Sequence, residues 1–106
     1  MRSKAGEGES HQRFIQQALG LAAESAGSGR GGPFGALVVR AGEVIGQGCN
    51  RVISALDPTA HAEVVAIRDA CRRVGDFRLD GALLYASCLP CPMCYAAIYW
   101  ARIEAV

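Results

Sequence analysis

The sequence predicts a single α/β domain. Its length of 106 residues suits one hydrophobic core. Three segments repeat apolar residues at helical spacing, and short β-rich segments lie between them. Hydrophobic residues make up 51% of the chain and charged residues 20%, as in a protein with a well-filled aliphatic interior. Residues 1–9 are rich in glycine, serine and charge, so we predict a disordered lead there and a single domain over residues 10–106.

The sequence of the first part of that domain, residues 10–50, predicts an amphipathic helix followed by a β-hairpin. Ser10 is the expected helix cap and Gly27 the expected end. Phe14, Ala18, Leu21 and Ser25 fall on one stripe of this helix, which is mostly apolar. Residues 34–40 and 44–50 are β-rich with a short connection, which predicts an antiparallel pair. Glycines at positions 35, 46 and 48 indicate close approach of another group to these strands, for which a ligand is one explanation.

The second part predicts helix, strand, helix and a further strand. Thr59 is the expected cap of a helix that ends at Gly75 and has apolar residues at positions 64, 67, 71 and 74. Residues 82–87 are almost wholly apolar, so we expect a third strand that is central in its sheet. Pro92 suits the first turn of the next helix, with Cys91 as its cap. Residues 102–106 resemble the start of a fourth strand, so we expect a chain truncated there, its C-terminal part absent, or one completed by a partner.

Charge and cysteine content restrict the classes of function. Eleven basic and ten acidic residues leave a net charge of +1. A dedicated nucleic-acid binder usually has a larger excess of positive charge, so this balance favours a small substrate. The number of cysteines, five, is odd, and the N-terminus lacks the apolar core of a secretory signal. We therefore expect reduced thiols in a cytoplasmic protein. No apolar run approaches the roughly 20 residues of a transmembrane helix, and we expect no membrane partner.

Three residues have the pattern of a zinc site. Cys91 and Cys94 are three positions apart at a predicted helix start, where the helix dipole favours the thiolate form. His61 lies in the first turn of another predicted helix. One imidazole and two thiolates leave the fourth position of a tetrahedral zinc open to water, as catalytic zinc sites require. Glu63, two residues after the histidine, is then the candidate general acid and base.

Cys88 opens two alternatives to this interpretation. With Cys91 and Cys94 it forms C-x-x-C-x-x-C, part of an iron-sulfur pattern whose fourth cysteine is absent. Cys88 as a fourth zinc ligand would instead make a closed structural site and leave Glu63 without a role. We expect Cys88 to be a thiol at the strand end and not a ligand.

A few further residues have both structural and functional explanations. Asn50 ends a strand before a loop, which suits turn chemistry or a substrate contact equally. Phe34 and Trp100 suit either the core or the stacking of a flat ligand ring. The glycine-rich residues 27–32 resemble a phosphate-binding loop, but no strand precedes them and no lysine follows at the required spacing.

H-A-E and P-C-P-M-C match the H-x-E and P-C-x-x-C signature of zinc nucleobase deaminases. The chain resembles the cytidine deaminase-like superfamily over residues 14–106, and within it the bacterial guanine deaminases. The segments that carry this resemblance are G-G-P-F-G-A, D-P-T-A-H-A-E-V-V-A-I-R, G-D-F-R-L-D-G, C-P-M-C and A-I-Y-W-A-R. The tRNA adenosine deaminases share the zinc motifs and form the alternative.

The resemblance implies a three-layer α/β/α sandwich with a central mixed sheet, a homodimer that can exchange its C-terminal segment, and deamination of a purine such as guanine. It makes His61, Cys91 and Cys94 the Zn²⁺ ligands and Glu63 the proton shuttle. The residues that it places around the base are Phe34, Asn50, Ala62 through its backbone, and Trp100. Leu89 departs from the pattern, because family members commonly have glutamate before the Pro-Cys pair.

Overall fold

A three-stranded antiparallel sheet forms the middle of the computed structural model, which describes the backbone of residues 4–106 and the side chains of residues 10–106. The strands are β1 (Gly35–Arg40), β2 (Glu43–Cys49) and β3 (Leu83–Ala86), in the order β2-β1-β3. Gly35 pairs with Cys49 in the predicted hairpin. A parallel bridge between Leu83 and Ala105 on the outer side of β3 makes the pairing mixed.

Residues 4–106 also form four helices: α1 (Lys4–Ala26), α2 (Val52–Ala55), α3 (Ala62–Val74) and α4 (Pro92–Trp100). Residues of β1 alternate between the two faces, as the two-residue repeat of a strand requires. Leu37 and Val39 pack with Phe14 of α1, whereas Ala36 and Val38 pack with α3 and α4. The predicted three-layer α/β/α arrangement is therefore confirmed.

Glycines on β2 allow α3 to lie against the sheet. A Cβ atom built on Gly46 would lie 2.5 Å from the carbonyl oxygen of Ala66, and one on Gly48 would lie 2.7 Å from the Ala66 nitrogen. A Cβ on Gly35 would similarly lie 2.5 Å from the carbonyl oxygen of Ala18 in α1. The close approach predicted at these glycines is real, and the approaching groups are the two helices.

Several element boundaries differ from the prediction. The first helix begins at Lys4 instead of Ser10, so residues 4–9 are helical where a disordered lead was predicted; residues 1–3 lie outside the described residues. The next long helix begins after His61 and not at Thr59, because Asp57 accepts hydrogen bonds from the Thr59 nitrogen at 2.9 Å and hydroxyl at 2.7 Å and holds it in a turn.

The position of β3 also differs from the prediction. β1 is the middle strand, whereas β3 has β1 on one side and the single bridge to Ala105 on the other. The Leu84 nitrogen donates to the carbonyl oxygen of Ala105 at 2.9 Å. None of the helices within residues 4–106 combines the length and apolar character that a membrane span needs.

Candidate metal centre

The start of α4 carries two cysteines on one side of a helix end. Cys91 is the N-cap, with extended backbone angles of φ −75° and ψ 170°, and Pro92 follows in the first turn. This order follows from the preference of proline for the first helical position. Cys94 then lies one turn later and is fully buried, with its Sγ atom 3.7 Å from that of Cys91.

His61 brings the third donor from the start of α3. Its Nδ1 atom lies 3.6 Å from Sγ of Cys91 and 3.6 Å from Sγ of Cys94. Zinc bonds of about 2.3 Å to sulfur and about 2.0–2.1 Å to nitrogen, at tetrahedral angles, separate two sulfurs by about 3.8 Å and a sulfur from a nitrogen by about 3.6 Å. The three donors therefore have the spacing of three corners of a zinc tetrahedron.

The two thiols have different acidities in the metal-free protein. Burial, followed by the negative charge of Glu63, raises the pKa of Cys94 to about 12. The pKa of Cys91 is lowered, chiefly because its sulfur accepts a hydrogen bond from the Cys94 backbone at the helix start. Since a metal binds the thiolate, Cys94 must lose its proton when a metal binds.

Glu63 lies beside the donor set without belonging to it. It is 6% exposed in the first turn of α3, and its charge affects both Cys91 and Cys94. No ion pair or hydrogen bond within the described residues satisfies its carboxylate. No buried side-chain oxygen within residues 10–106 lacks a partner, so the unpaired carboxylate oxygens of Glu63 are accessible and open to a cation held by the adjacent donors.

Cys88 stays outside this cluster. Its side chain is exposed, and within residues 10–106 the metal-binding group of donor atoms within 4.8 Å of one another consists of His61, Cys91 and Cys94. Burial and then the charges of Glu63 and Cys91 raise the pKa of Cys88, which keeps it a neutral thiol. This placement agrees with our expectation that Cys88 is not a ligand.

Asn50 and Phe34 lie next to one another at the end of the hairpin. The Asn50 nitrogen donates to the carbonyl oxygen of Phe34 at 3.2 Å. Asn50 is 9% exposed, and its Oδ1 atom accepts from the Val52 nitrogen at 3.0 Å. Phe34 keeps 38% of its surface exposed, so its ring is free to contact a ligand. The structure thus brings together two of the four residues predicted to surround a base.

The other two predicted contacts have different positions. Ala62 begins α3 beside His61 and is 1% exposed, so its side chain is closed to a ligand and only its backbone N–H, which lacks a helical partner, is suited to one. Trp100 ends α4, six residues or about 9 Å of helix beyond Cys94. It is 66% exposed, and its ring contact within the described residues is with Tyr99, edge to face with centroids 6.2 Å apart.

One connection within the site has no signal in the sequence. The Arg51 nitrogen donates to the carbonyl oxygen of Ala60 at 2.9 Å, which ties the segment of Asn50 to the segment of His61. Such a bond joins two loops through backbone atoms that every residue type carries, so residue identity does not reveal it. The short helix α2, between the two ends of this bond, was predicted only as a loop.

Comparisons with known proteins agree with this geometry. The family model of the cytidine and deoxycytidylate deaminase zinc-binding region matches residues 8–106. The guanine deaminase of Bacillus subtilis is 54% identical over 96 residues, which cover 91% of this chain and 62% of that protein. A tRNA-specific adenosine deaminase of Agrobacterium fabrum is 48% identical over 91 residues, covering 86% of this chain and 59% of that protein.

The likeness extends to three dimensions. The X-ray structure of Bacillus subtilis guanine deaminase superposes with a TM-score of 0.87 at 54% identity, covering 90% of this chain and 60% of that one. The chain thus spans about three fifths of the length of these relatives. Because the family model covers nearly the whole chain and includes all three metal-type donors, this chain belongs to the cytidine and deoxycytidylate deaminase zinc-binding family.

Proposed function

We propose that the protein is a zinc-dependent deaminase that hydrolyses guanine to xanthine and ammonia. The observation that carries this proposal is a three-donor cluster with zinc spacing beside Glu63, a residue only 6% exposed whose carboxylate has no partner within the described residues and remains accessible. In this proposal His61, Cys91 and Cys94 hold the metal. A zinc ion bound there supplies a Lewis acid that makes water a nucleophile near neutral pH.

Glu63 moves the protons of the reaction. Its carboxylate accepts a proton from the attacking water and delivers it to a ring nitrogen of the base. Water oxygen bonds to the carbon that carries the exocyclic amine. Glu63 then takes the remaining proton from the added hydroxyl and passes it to the amine, the carbon–nitrogen bond breaks, and ammonia departs as the carbonyl forms. Burial of Glu63 keeps bulk water from competing for these transfers.

Residues around the cluster orient the base. Asn50 offers a side-chain amide and Phe34 a flat ring, and they lie next to one another. The Ala62 nitrogen belongs to the first turn of α3, where backbone N–H groups lack helical partners and suit an acceptor on the ligand. Trp100 is proposed as a stacking partner on the strength of the family resemblance.

Ammonia release from guanine, adenine, cytosine and tRNA by the zinc-loaded protein tests the proposal. We expect release from guanine, and Glu63→Gln should abolish turnover while zinc stays bound, because the amide cannot carry the proton. The matched control is Glu43→Gln, which changes a carboxylate on the exposed end of β2. Guanine turnover by Glu63→Gln at a rate near that of the parent protein would contradict the assignment of Glu63.

Adenosine deamination in tRNA is the second candidate, favoured by the likeness to the Agrobacterium fabrum protein. The candidate phosphate contacts for this function are the arginines at positions 68, 72, 73 and 78. Each of these guanidinium groups lies within 3.0–3.6 Å of an aspartate carboxylate. Partial neutralisation weakens the attraction to phosphates and supports the small substrate. Steep salt dependence of tRNA binding, with inosine formed, would favour this second candidate.

One further proposal follows from the family resemblance, and one alternative to catalysis remains. A homodimer with exchanged C-terminal segments is tested by light scattering after gel filtration, with a monomer mass as the contrary result. A non-catalytic zinc module would need a closed shell of four protein ligands, and the exposed position of Cys88 speaks against it.

A further inference from the structure

The glycine-rich loop at residues 27–32 is bonded to its surroundings at several points. The buried hydroxyl of Ser25 donates to the carbonyl oxygen of Gly32 at 2.7 Å. The Ser54 nitrogen of α2 donates to the carbonyl oxygen of Arg30 at 3.0 Å. The loop is therefore held between the end of α1 and the short helix that follows Asn50.

Gly31 lies directly against Asn50. A Cβ atom built on Gly31 would lie 2.2 Å from Oδ1 of Asn50, 2.6 Å from its carbonyl oxygen and 2.9 Å from its carbonyl carbon. Two of these three atoms belong to the backbone, so rotation of the Asn50 side chain does not make room. Any side chain at position 31 must displace either the loop or the backbone of residue 50.

Gly32 has the same relation to Phe34. A Cβ atom on Gly32 would lie 2.8 Å from Cε2 and 3.1 Å from Cδ2 of the phenyl ring. The ring would have to turn away from its position to accept this atom. Two consecutive glycines thus face the two neighbouring residues that the proposed function places at the base.

The orientation of the Asn50 amide is fixed by one hydrogen bond. Because the Val52 nitrogen donates to Oδ1, the carbonyl end of the amide faces α2 and Nδ2 faces the other way. No hydrogen bond within residues 10–106 uses Nδ2, and no buried side-chain nitrogen or oxygen there lacks a partner. Nδ2 is consequently accessible, and it is a donor suited to a carbonyl oxygen or ring nitrogen of a purine.

We infer that Gly31 and Gly32 are positioning residues that set the places of Asn50 and Phe34 for the base. Gly31 acts through the Asn50 amide and Gly32 through the phenyl ring; neither touches substrate. The role of the loop is steric, since only residues without a side chain leave the two neighbours where they are. This inference rests on the proposed function for its substrate, but the positioning itself is observable without turnover.

Gly31→Ala is the central variant, and Gly27→Ala is its matched control in the same loop. The nearest atom to a Cβ on Gly27, a carbonyl oxygen of Glu24, is 4.0 Å away, so the control adds the same methyl without a clash. We expect Gly31→Ala to lower kcat/KM for guanine about tenfold or more, chiefly through KM, with zinc content unchanged. Gly27→Ala should match the parent protein.

A double-mutant cycle tests whether Gly31 acts through Asn50. In an Asn50→Ala background, Gly31→Ala should reduce kcat/KM by less than about twofold further, because the side-chain amide through which Gly31 acts is gone, although the contact with the backbone of residue 50 remains. Full additivity of the two losses would overturn the inference, as would parent-like kcat/KM in Gly31→Ala.

NMR supplies a readout that does not depend on activity. The side-chain amide signals of Asn50, assigned by their loss in Asn50→Ala, should move in Gly31→Ala and stay in place in Gly27→Ala. Unmoved signals in Gly31→Ala overturn the inference. If Gly31→Ala does not fold, Ser25→Ala is used instead, because it removes the hydrogen bond from Ser25 to Gly32 without adding a side chain. The Asn50 amide signals should then move. Unmoved signals in Ser25→Ala would overturn the inference.

The proposed function and the positioning role of Gly31 and Gly32 are refuted by different results. Absence of ammonia release from every base by the parent protein refutes the proposed function. The Asn50 signals in Gly31→Ala decide the positioning role in either case.

Discussion

Gly46→Ala tests how the contact between α3 and β2 supports the metal centre. The added methyl would lie 2.5 Å from the carbonyl oxygen of Ala66 and 2.7 Å from both Cβ and the nitrogen of Ala70. None of these atoms can rotate away, because they belong to the helix backbone or are attached directly to it. Carbon contacts settle at about 3.5–4.0 Å, so α3 must retreat by roughly 1 Å.

Such overpacking costs about 1–3 kcal/mol of unfolding free energy. For a domain of this size each kcal/mol lowers the melting temperature by about 4–8 °C. The same retreat carries His61 and Glu63 away from α4, since both lie at the start of α3. Loss of support around metal ligands weakens zinc binding by about tenfold or more.

Gly20→Ala is the matched control, and it should change the unfolding free energy in the opposite direction. Gly20 lies within α1, and a Cβ atom there would have no neighbour within 4 Å. Alanine should stabilise the helix by about 0.5–1 kcal/mol at this position. Circular dichroism melts and zinc competition with a chelator give both quantities. A Gly46→Ala protein with parent-like melting temperature and zinc affinity would refute the packing argument.

Three further predictions follow. Cys91→Ser should lose zinc and stability together, whereas Cys88→Ser should keep stoichiometric zinc by metal analysis; equal zinc contents would contradict the ligand assignment. Because burial raises the pKa of Cys94 to about 12 without metal, zinc uptake at pH 7 should release at least one proton. Zinc affinity should therefore rise about tenfold or more per pH unit from pH 6 to 8. A zinc affinity independent of pH would contradict this. Gly75→Ala should cost about 1 kcal/mol in denaturant unfolding, since Gly75 ends α3 at a φ of 74°; an unchanged midpoint would be the contrary result.

Periodicity and proline chemistry were sufficient to predict most of the fold. The hairpin, the end of α3 at Gly75 and the start of α4 at Pro92 each depend on local preferences, and the structure confirms them. The burial of α3 was less predictable. Its deepest positions include Ala66 and Ala70 opposite the β2 glycines, and such small residues carry little signal in a pattern of large apolar ones.

Long-range contacts account for the remaining differences. Thr59 resembles a helix cap, yet its hydroxyl is held by Asp57, and His61 takes the cap position. The third strand is apolar like a central strand, but its outer neighbour within the described residues is the bridge at Ala105. Spacing predicted the Cys91 and Cys94 pair at a helix start, and the deaminase signature joined His61 to them; the structure brings the three donors together at two helix starts. The link between Asn50 and Gly31 depends on the path of a loop and was not predicted.

Zinc K-edge absorption spectroscopy of the metal-loaded protein, combined with metal analysis, tests the central claim most directly. We expect one zinc per chain, bound by two sulfurs and one imidazole nitrogen of this protein, and the same spectrum in Cys88→Ser. Three sulfurs around the metal, or a protein that folds and turns over substrate without zinc, would contradict it.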